Sequence, residues 1–315
     1  MRIAICADVH VQNSVKKEIS RLHHILDALE WCEKSARTKK ATAFVIAGDV
    51  FHHRKAIDVE VLNKTYDLIK SFQLPTYIIA GNHDIAPTGK GMSISVLSDI
   101  ATVIKKPKIC RIGKDDILCL PWSTNDNIRT AIKKARSKGI KHAIGHMGVS
   151  GAVVGNDYVM EGDIKPAWFK NFTWVALGHY HKYQVIGNIS YVGSLLQQDF
   201  GEVGQDKGYV IATADKLKFI RNTMSPRFVD VSNETELADL KPDDFVRATE
   251  EMAAKVPDAQ VIATKRTVKK SKTARIKFTS MHYQAVLKEY AKKFPHKKLH
   301  RKILIKAGLR YLNEK

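Results

Sequence analysis

Two hydrophobic patterns alternate along the chain. Short apolar runs bounded by polar or glycine residues are typical of buried strands. Longer segments with an apolar residue at every third or fourth position are typical of amphipathic helices. The pattern predicts strands at 2–7, 41–47, 75–80, 108–112, 116–121, 141–145 and 173–177, helices at 15–35, 56–72 and 126–138, and hairpins at 183–193 and 208–220. This order predicts an α/β sandwich with mixed sheets.

The pattern changes near Asn222, where the chain becomes polar, contains proline and loses its regular period. We therefore expect a first domain at residues 1–222, with a boundary after it. The pattern of residues 223–278 predicts a small β-rich or α+β module, with strands in the sequences FVRAT and RIKFT. The apolar positions in residues 279–315 predict a terminal pair of helices joined by the sequence FPHKK.

Positive charge is concentrated at the carboxyl end. The chain has 52 Lys and Arg against 32 Asp and Glu, a net charge of +20. Residues 259–315 hold 17 basic and 2 acidic residues, which leaves 35 basic and 30 acidic residues in the first 258. A nearly balanced body with a basic end indicates a polyanionic partner, most simply nucleic acid. The alternative is a solvated basic face that only aids solubility.

The cysteines and the hydropathy of the chain indicate the cellular compartment in which the protein is expected. The four cysteines lack C-x-x-C spacing and lie in strand-like or helix-like runs, so we expect reduced, packed thiols. No stretch approaches 18 consecutive apolar residues, and the chain opens on a strand-like run rather than a secretory signal. We therefore expect a cytoplasmic protein, in the host cytoplasm if its source is a virus, with no membrane partner.

Metal-ligand residue types stand directly after five of the predicted strands. They are Asp8 and His10, then Asp49, then Asn82, His83 and Asp84, then His146, and finally His179 and His181. Because strand ends lie along one edge of a sheet, these side chains can converge although they are far apart in sequence. Imidazole and carboxylate suit Mn²⁺, Fe²⁺ or Zn²⁺, and a carboxylate can bridge two such cations. The pattern predicts a site for two divalent cations.

Each histidine taken alone has a plainer interpretation. The pair in the sequence GHYH at 178–181 lies in a turn, where two histidines are more often solvated or hydrogen-bonded than part of a metal site. The convergence of five strand ends, rather than any single residue, favours the metal site. His23, His24 and His53 belong to no such motif, and we expect them to be ordinary core or surface histidines.

The order of the motifs resembles that of the calcineurin-like metallophosphoesterase superfamily. The motifs are D-x-H at 8–10, G-D at 48–49, G-N-H-D at 81–84, G-H at 145–146 and G-H-x-H at 178–181. Residues 1–220 carry this resemblance. Within the superfamily, the sequences GDVFHHRK and YVGSLLQQDFGEVGQDKGYVIA are similar to the SbcD-type DNA nucleases, which include short phage versions. One departure is Val11-Gln12, where many members have Leu-Gly, and it removes no ligand.

The resemblance implies a fold and a role for each site residue. The fold would be a β-sandwich flanked by helices, followed by the small module and the helical pair. The ligands would be Asp8, His10, Asp49 and His181 for one cation, and Asp49, Asn82, His146 and His179 for the other. His83 would contact the scissile phosphate or protonate the leaving 3′-oxygen, and Asp84 would orient His83. His52 would position the nucleotide, its alternative being a polar turn residue, and Mn²⁺ would be the activating cation.

The basic end has two roles in the family that this chain resembles. A DNA-capping module would contact phosphates through seven side chains: Lys265, Arg266, Lys269, Lys270, Lys272, Arg275 and Lys277. The terminal helical pair is similar to the docking element for an SbcC-like coiled-coil ATPase subunit. Packing against its own core explains the apolar stripe of that pair equally well.

The resemblance implies a DNA exonuclease, or an endonuclease, that hydrolyses phosphodiester bonds at DNA ends in recombination, repair or replication. It would act as a homodimer with the ATPase. One alternative is a protein phosphatase or small-molecule phosphodiesterase of the same superfamily, which would need a narrow pocket rather than an open basic surface. A second is a DNA-binding scaffold with a structural metal, which would be expected to lack catalytic positions. His83 and all seven ligand positions are present.

Overall fold

The computed structural model describes residues 1–16, 19–155, 158–256 and 261–265. The strands in these ranges are β1 (Arg2–Cys6), β2 (Val15–Lys16), β3 (Ile19–Ser20), β4 (Ala43–Ala47), β5 (Thr76–Ile79), β6 (Thr102–Ile104), β7 (Lys108–Ile112), β8 (Asp115–Leu120), β9 (His142–His146), β10 (Val153–Val154), β11 (Tyr158–Val159), β12 (Trp174–Gly178), β13 (Gln184–Ile186), β14 (Ile189–Tyr191), β15 (Gly208–Thr213), β16 (Leu217–Arg221), β17 (Phe228–Val231), β18 (Phe245–Thr249) and β19 (Val261–Lys265).

The helices begin where a polar side chain caps the first turn. They are α1 (Arg21–Thr38), α2 (Val59–Lys70), α3 (Asn125–Ser137), α4 (Glu234–Ala238) and α5 (Glu250–Ala253), with 3₁₀ turns at Ser93–Leu97, Pro166–Phe169 and Phe200–Glu202. The Asp58 side chain accepts hydrogen bonds from the first turn of α2, and the Thr124 hydroxyl does the same for α3. Such caps satisfy backbone N–H groups that have no partner within the helix.

The predicted start of the first helix, at residue 15, is wrong. Residues before the helix pair instead as the short antiparallel strands β2 and β3. The Ser20 hydroxyl then accepts a hydrogen bond from the Leu22 amide, so the helix begins at Arg21. The apolar period continued back to Ile19, but a capping serine decides a boundary that periodicity alone does not.

Two six-stranded sheets form the body of the molecule. The first has the order β16-β15-β1-β4-β5-β6, in which β1, β4, β5 and β6 are parallel, β15 is antiparallel to β1, and β16 is antiparallel to β15. The second has the order β13-β14-β12-β9-β8-β7, with four central parallel strands and an antiparallel strand at each edge. The predicted α/β sandwich with mixed sheets is confirmed.

Alternating side chains give the sandwich four layers. In β1, Ile3 and Ile5 belong to a core between the two sheets, whereas Ala4 and Cys6 belong to a second core that packs against α1. The outer face of the second sheet packs in the same way against α3. Period-two alternation therefore buries both faces of each sheet. All four cysteines are buried and free, as the sequence predicted.

A third, smaller sheet follows the predicted boundary at residue 222. Its strands β17, β18 and β19 are parallel and are connected through α4 and α5. The buried Arg21 guanidinium at the start of α1 lies over the Phe228 and Phe245 rings of this sheet, at 5.1 and 4.8 Å from their centroids. This stacking holds the small sheet against the body.

The carboxyl end of the chain is described only in part. The strand predicted in FVRAT is present as β18, whereas the strand predicted in RIKFT and the terminal helical pair at 279–315 lie outside the described residues. A compact unit extends over Met1–Lys265. The division into domains at 1–222, 223–278 and 279–315 stays a prediction. No helix in the described part of the chain combines the length and the apolar character needed to cross a membrane.

Candidate metal centre

Five parallel strands deliver the polar residues to one place. In the first sheet, β1, β4 and β5 are followed by Asp8, by Asp49 and by Asn82, and in the second sheet β9 ends on His146 and β12 is followed by His179. The turns are tied together, because the Asp8 amide donates to the Gly48 carbonyl at 3.1 Å and the His10 amide to the Asp49 carbonyl at 3.0 Å. The carboxyl ends of both sheets thus meet at one edge of the sandwich.

The backbone at this edge is strained. Four residues other than glycine adopt positive φ here: Asp8 at 50°, His10 at 51°, Asp49 at 53° and His179 at 100°. Side chains with a Cβ rarely adopt this conformation, and it costs about 1–3 kcal/mol at each position. Strain of this kind persists where surrounding structure enforces it, and it clusters at functional sites.

Two glycines allow the His146 ring to lie close to the backbone. Gly48 has φ of 93°, and a Cβ built there would overlap the His146 ring. A Cβ at Gly178 would overlap the Ala47 carbonyl and lie 2.8 Å from His146 Nδ1. That ring is fixed by a 2.9 Å hydrogen bond between its Nδ1 and the Ala47 carbonyl, which leaves Nε2 for the site. Glycine at both turns is therefore a packing requirement.

One group of ligand atoms surrounds His10 and His181. Their Nε2 atoms are 3.1 Å apart, and Asp8 offers a carboxylate oxygen within 4.8 Å of both. Asp49 Oδ2 is 3.7 Å from His10 Nε2. Asp8 is itself held by the His179 amide, which donates to both carboxylate oxygens at 3.0 Å.

A second group lies on the other side of Asp49. The same Oδ2 atom is 3.3 Å from His146 Nε2, so Asp49 faces both groups. Asn82 Oδ1 is 3.0 Å from His146 Nε2 and 3.0 Å from His179 Nδ1. All seven residues predicted as ligands therefore converge on two adjacent places with Asp49 between them.

These spacings suit cations. Two ligand atoms bound at right angles to one metal, each about 2.1 Å from it, lie about 3 Å apart. Four of the separations in the two groups, at 3.0–3.3 Å, match that spacing, and the 3.7 Å between His10 Nε2 and Asp49 Oδ2 is longer. The donors are imidazole nitrogens, carboxylates and one amide oxygen, a set suited to Mn²⁺, Fe²⁺ or Zn²⁺. Two of the groups of side chains close enough to hold an ion are Asp8, His10 and His181, and Asp8, Asp49 and His146.

Burial and neighbouring charges shift the pKa values of several residues in the centre. Burial raises the pKa of Asp8 and, by itself, lowers that of His146. The Asp49 carboxylate reverses the effect on His146 and raises its pKa to about 9. Burial lowers the pKa of His179 to about 4, so this imidazole is neutral and its lone pair is available at neutral pH.

Comparison with known proteins agrees with this geometry. Residues 1–183 match the family model described as calcineurin-like phosphoesterase. The chain belongs to this family. The family uses divalent metal ions, and the converging Asp and His residues of this phosphoesterase are suited to holding them.

Curated relatives of the phosphoesterase come from viruses and a phage. Exonuclease subunit 1 of Enterobacteria phage T4 is 21% identical over 70% of this chain and 68% of its own length. Protein 244L of Invertebrate iridescent virus 6, which carries a phosphoesterase name, is 26% identical over 67% of this chain and 75% of its own. Uncharacterized protein R555 of Acanthamoeba polyphaga mimivirus is 24% identical over 91% of this chain, which spans only 21% of that protein.

His83 and His52 lie beside the first group of ligands. The His83 ring centroid is 4.8 Å from that of His10, and its Nδ1 is 2.7 Å from the His52 carbonyl oxygen. The Nδ1–H group donates to that carbonyl, which leaves Nε2 for contacts outside the protein. The His52 ring packs edge-on against His10 at 5.3 Å, and no described residue bonds its buried Nδ1.

Asp84 contacts the backbone rather than the His83 ring. The His83 ring is held by the His52 carbonyl, and the expectation that Asp84 orients His83 stays a prediction. The fully buried Asp84 carboxylate instead accepts hydrogen bonds from the amides of Asp49, Val50 and Gly81, at 2.9, 3.0 and 2.8 Å. Asp84 therefore fixes the turn that carries Asp49, and burial raises its pKa to about 6.

The sequence interpretation missed two further residues of the centre. Glu202 accepts a 2.7 Å hydrogen bond from His181 Nδ1, and the Lys207 ammonium lies 2.8 Å from its other oxygen. Burial opposes ionisation of Glu202, but His181 and Lys207 outweigh it and lower its pKa to about 2. Both residues lie in the segment after GHYH that resembles the nucleases, yet a single Glu in a loop carries no periodic signal. The pair fixes the His181 tautomer.

The remaining residues named in the sequence analysis are three histidines with neighbours of their own and a basic group that lies largely outside the described residues. Lys265 is the last residue of β19, and the other six basic residues of the predicted DNA-capping module lie outside the described residues. His53 is exposed, although its ring packs against His52 at 4.9 Å. His23 lies 3.4 Å from the Lys64 ammonium, and His24 packs against Phe245, away from the predicted ligands.

Proposed function

We propose that this phosphoesterase is a two-metal-dependent DNA nuclease that hydrolyses phosphodiester bonds at DNA ends. It would act as an exonuclease or endonuclease in recombination, repair or replication. The observation that carries the proposal is the pair of ligand groups sharing Asp49, because adjacent cations suit a phosphodiester with two non-bridging oxygens.

Each side of Asp49 would hold one divalent cation, with Mn²⁺ as the expected activator. The first would be held by Asp8, His10, Asp49 and His181, and the second by Asp49, Asn82, His146 and His179. When bound, such cations neutralise charge on the phosphate and supply a nucleophile at neutral pH. The strained turns and the Asp84 carboxylate hold the ligands in place before metal or substrate arrives.

His83 would protonate the leaving group. Its Nδ1–H is committed to the His52 carbonyl, so Nε2 is the nitrogen that can carry a proton to the 3′-oxygen. His52, packed between His10 and His53, would help to position the nucleotide.

DNA is the substrate that the charge and the relatives favour. The net charge of +15 at residues 259–315 suits a polyanion, and the T4 relative is named an exonuclease subunit. That name also supports a multi-subunit assembly, here an SbcC-like coiled-coil ATPase docking on the terminal helices, and a homodimer of this chain. The assembly would work in the cytoplasm, or in the host cytoplasm for a viral protein.

End-labelled linear duplex DNA tests the proposal. We expect the purified protein to degrade it with Mn²⁺ and to be inactive with chelator. A His83→Leu variant should cut about 10²–10⁴-fold more slowly while binding Mn²⁺ as the wild type does. Adding the ATPase subunit, where one is found, separates an inactive chain from an incomplete assembly.

The same samples distinguish the alternatives. Robust hydrolysis of a phosphomonoester with no cleavage of duplex or single-stranded DNA would replace the nuclease by a phosphatase, which the name of the iridescent virus relative would suit. Mn²⁺ binding with no hydrolysis of either substrate, with and without the ATPase, would leave a DNA-binding scaffold.

A further inference from the structure

A tryptophan is exposed directly beside the metal centre. Trp122 follows β8, and 38% of its surface is exposed. Its ring centroid is 5.0 Å from that of His179, with the planes tilted by 42°, and 6.5 Å from that of His146. The Trp122 amide donates to the Ala80 carbonyl at 2.8 Å, which ties the residue to the turn that carries Asn82. The indole is thus held in place beside two predicted ligands.

Trp122 forms one wall of a groove that ends at the centre. The apolar part of the groove is lined by Trp122, Met147, Met160 and Tyr180, and its polar part by Asn125, Glu161, Asp163 and His179. Asn125 Nδ2 donates to Asp163 at 3.0 Å, which orients that carboxylate. The Tyr180 ring packs against the His179 ring at 4.8 Å. The groove therefore combines flat apolar surface with acceptor groups.

The lining of the groove suits a base rather than a phosphate. None of the described residues that line it is Lys or Arg, whereas two are carboxylates, which repel a phosphate. An indole face stacks on any nucleobase, and a carboxylate accepts hydrogen bonds from exocyclic amino groups. A base is linked to its own phosphate by a single sugar, so a base on Trp122 belongs to a nucleotide at the scissile phosphate.

We propose that Trp122 is the stacking platform for the nucleobase next to the scissile phosphate, in a strand that enters unpaired along this groove. The inference rests on the proposed nuclease function and names a substrate site for it. Stacking on the indole would place the nucleotide, while the carboxylates of Glu161 and Asp163 would exclude its backbone from the groove. The platform also predicts a preference for single-stranded or frayed ends, because a base inside a duplex is stacked on both faces and must leave the stack to reach the indole.

A pair of oligonucleotides tests the platform. Both are single-stranded and have the same labelled scissile phosphate. In one of them, the nucleotide next to that phosphate is abasic. We expect the wild type to prefer the oligonucleotide with the base by about tenfold or more in kcat/KM, as stacking on an aromatic side chain produces. Trp122→Ala should cut both with the same efficiency, and Trp122→Phe should keep most of the preference.

The control is Met224→Ala, since Met224 is a large exposed apolar side chain that does not line the groove. It should retain the wild-type preference. If Trp122→Ala lowered kcat/KM by the same factor for both oligonucleotides, the platform would be overturned, because the indole would then act only on His179. Retention of the preference in Trp122→Ala would overturn it as well.

A readout without cleavage separates this inference from the proposed function. A single-stranded oligonucleotide with 5-iodouracil at the same position is irradiated with the protein in chelator, and the crosslinked residue is identified by mass spectrometry. Crosslinking at Trp122 with no cleavage under any condition would support the platform and overturn the nuclease. Cleavage with crosslinks confined to other residues would overturn the platform and leave the nuclease intact.

Discussion

At the scale of single residues, the predicted ligand His181 depends on Glu202. The carboxylate accepts a hydrogen bond from the Nδ1–H group of His181, which keeps Nε2 on the side of the ring that faces His10. Lys207 balances the buried charge through its 2.8 Å contact with Glu202 and also donates to the His181 carbonyl at 2.7 Å. Two residues outside the predicted ligand set thus determine where the His181 ring points.

Replacing Glu202 tests this dependence. We expect Glu202→Ala to weaken Mn²⁺ binding by about 10–100-fold, because the His181 ring loses its orienting partner. Glu202→Gln should recover part of the loss, since its amide oxygen still accepts the Nδ1 proton. Isothermal titration of Mn²⁺ without DNA gives the affinity, and Glu30→Gln on the exposed face of α1 is the control. Equal affinity in all three variants would show that Glu202 has no part in the site.

At the scale of elements, the turns after the strands are the functional parts. The Asp49 turn is held in place by one carboxylate, that of Asp84. Asp84→Asn offers one acceptor oxygen where four backbone amides now donate to two, so it should lower the free energy of unfolding by about 1–3 kcal/mol and weaken Mn²⁺ binding. Urea denaturation and metal titration measure the two effects. Asp67→Asn, on the exposed face of α2, should change neither.

Glycine at the start of the same turn gives a second, independent test. Gly48→Ala places a Cβ into the His146 ring and adds a side chain at φ of 93°. Gly139→Ala shares a positive φ, 70°, but its Cβ would meet no atom within 4 Å. The control should cost about 1–2 kcal/mol of unfolding free energy through φ alone, and Gly48→Ala should cost more and abolish Mn²⁺ binding at the second group. Similar costs with intact metal binding would contradict the packing argument.

The sequence predicted the strands and the convergence of the polar residues that follow them for a physical reason. Buried strands are continuous apolar runs, and five of them ended in Asp, Asn or His, so position along the chain fixed position at the sheet edge. The start of α1 required a hydrogen bond from Leu22 to Ser20, which periodicity does not report. The Asp84 and Glu202 contacts join residues 35 and 21 positions from their partners, and only the fold brings these together. Short strands such as β10 and β11, with two residues each, carried too few residues for a pattern.

At the scale of the whole molecule, the uneven charge predicts how DNA affinity responds to salt. Each Lys or Arg that neutralises a phosphate releases counterions, so the slope of log affinity against log salt measures the number of neutralised phosphates. Changing Lys269, Lys270 and Lys272 together to Gln should reduce that slope by about one for each lysine that binds a phosphate. Fluorescence anisotropy with a DNA duplex across a salt series gives the slope.

The matched control changes three lysines at the end of the two sheets away from the predicted ligands. Lys39 and Lys40 precede β4, and Lys114 lies in the turn between β7 and β8, at the end of the sheets away from the ligands. The triple Gln variant of these residues removes the same charge and should leave the slope unchanged. Equal slopes for the two triple variants would show that the basic end acts only through net charge.

The stoichiometry and coupling of bound Mn²⁺ test the central claim most directly, which is that five strand ends build one centre for two cations around Asp49. Elemental analysis of the loaded protein gives the number of ions for each chain, and electron paramagnetic resonance reports whether they are coupled. We expect two exchange-coupled Mn²⁺ ions in the wild type and loss of the coupled signal in Asp49→Asn. A single uncoupled ion in the wild type, or a coupled pair that survives in Asp49→Asn, would contradict the account.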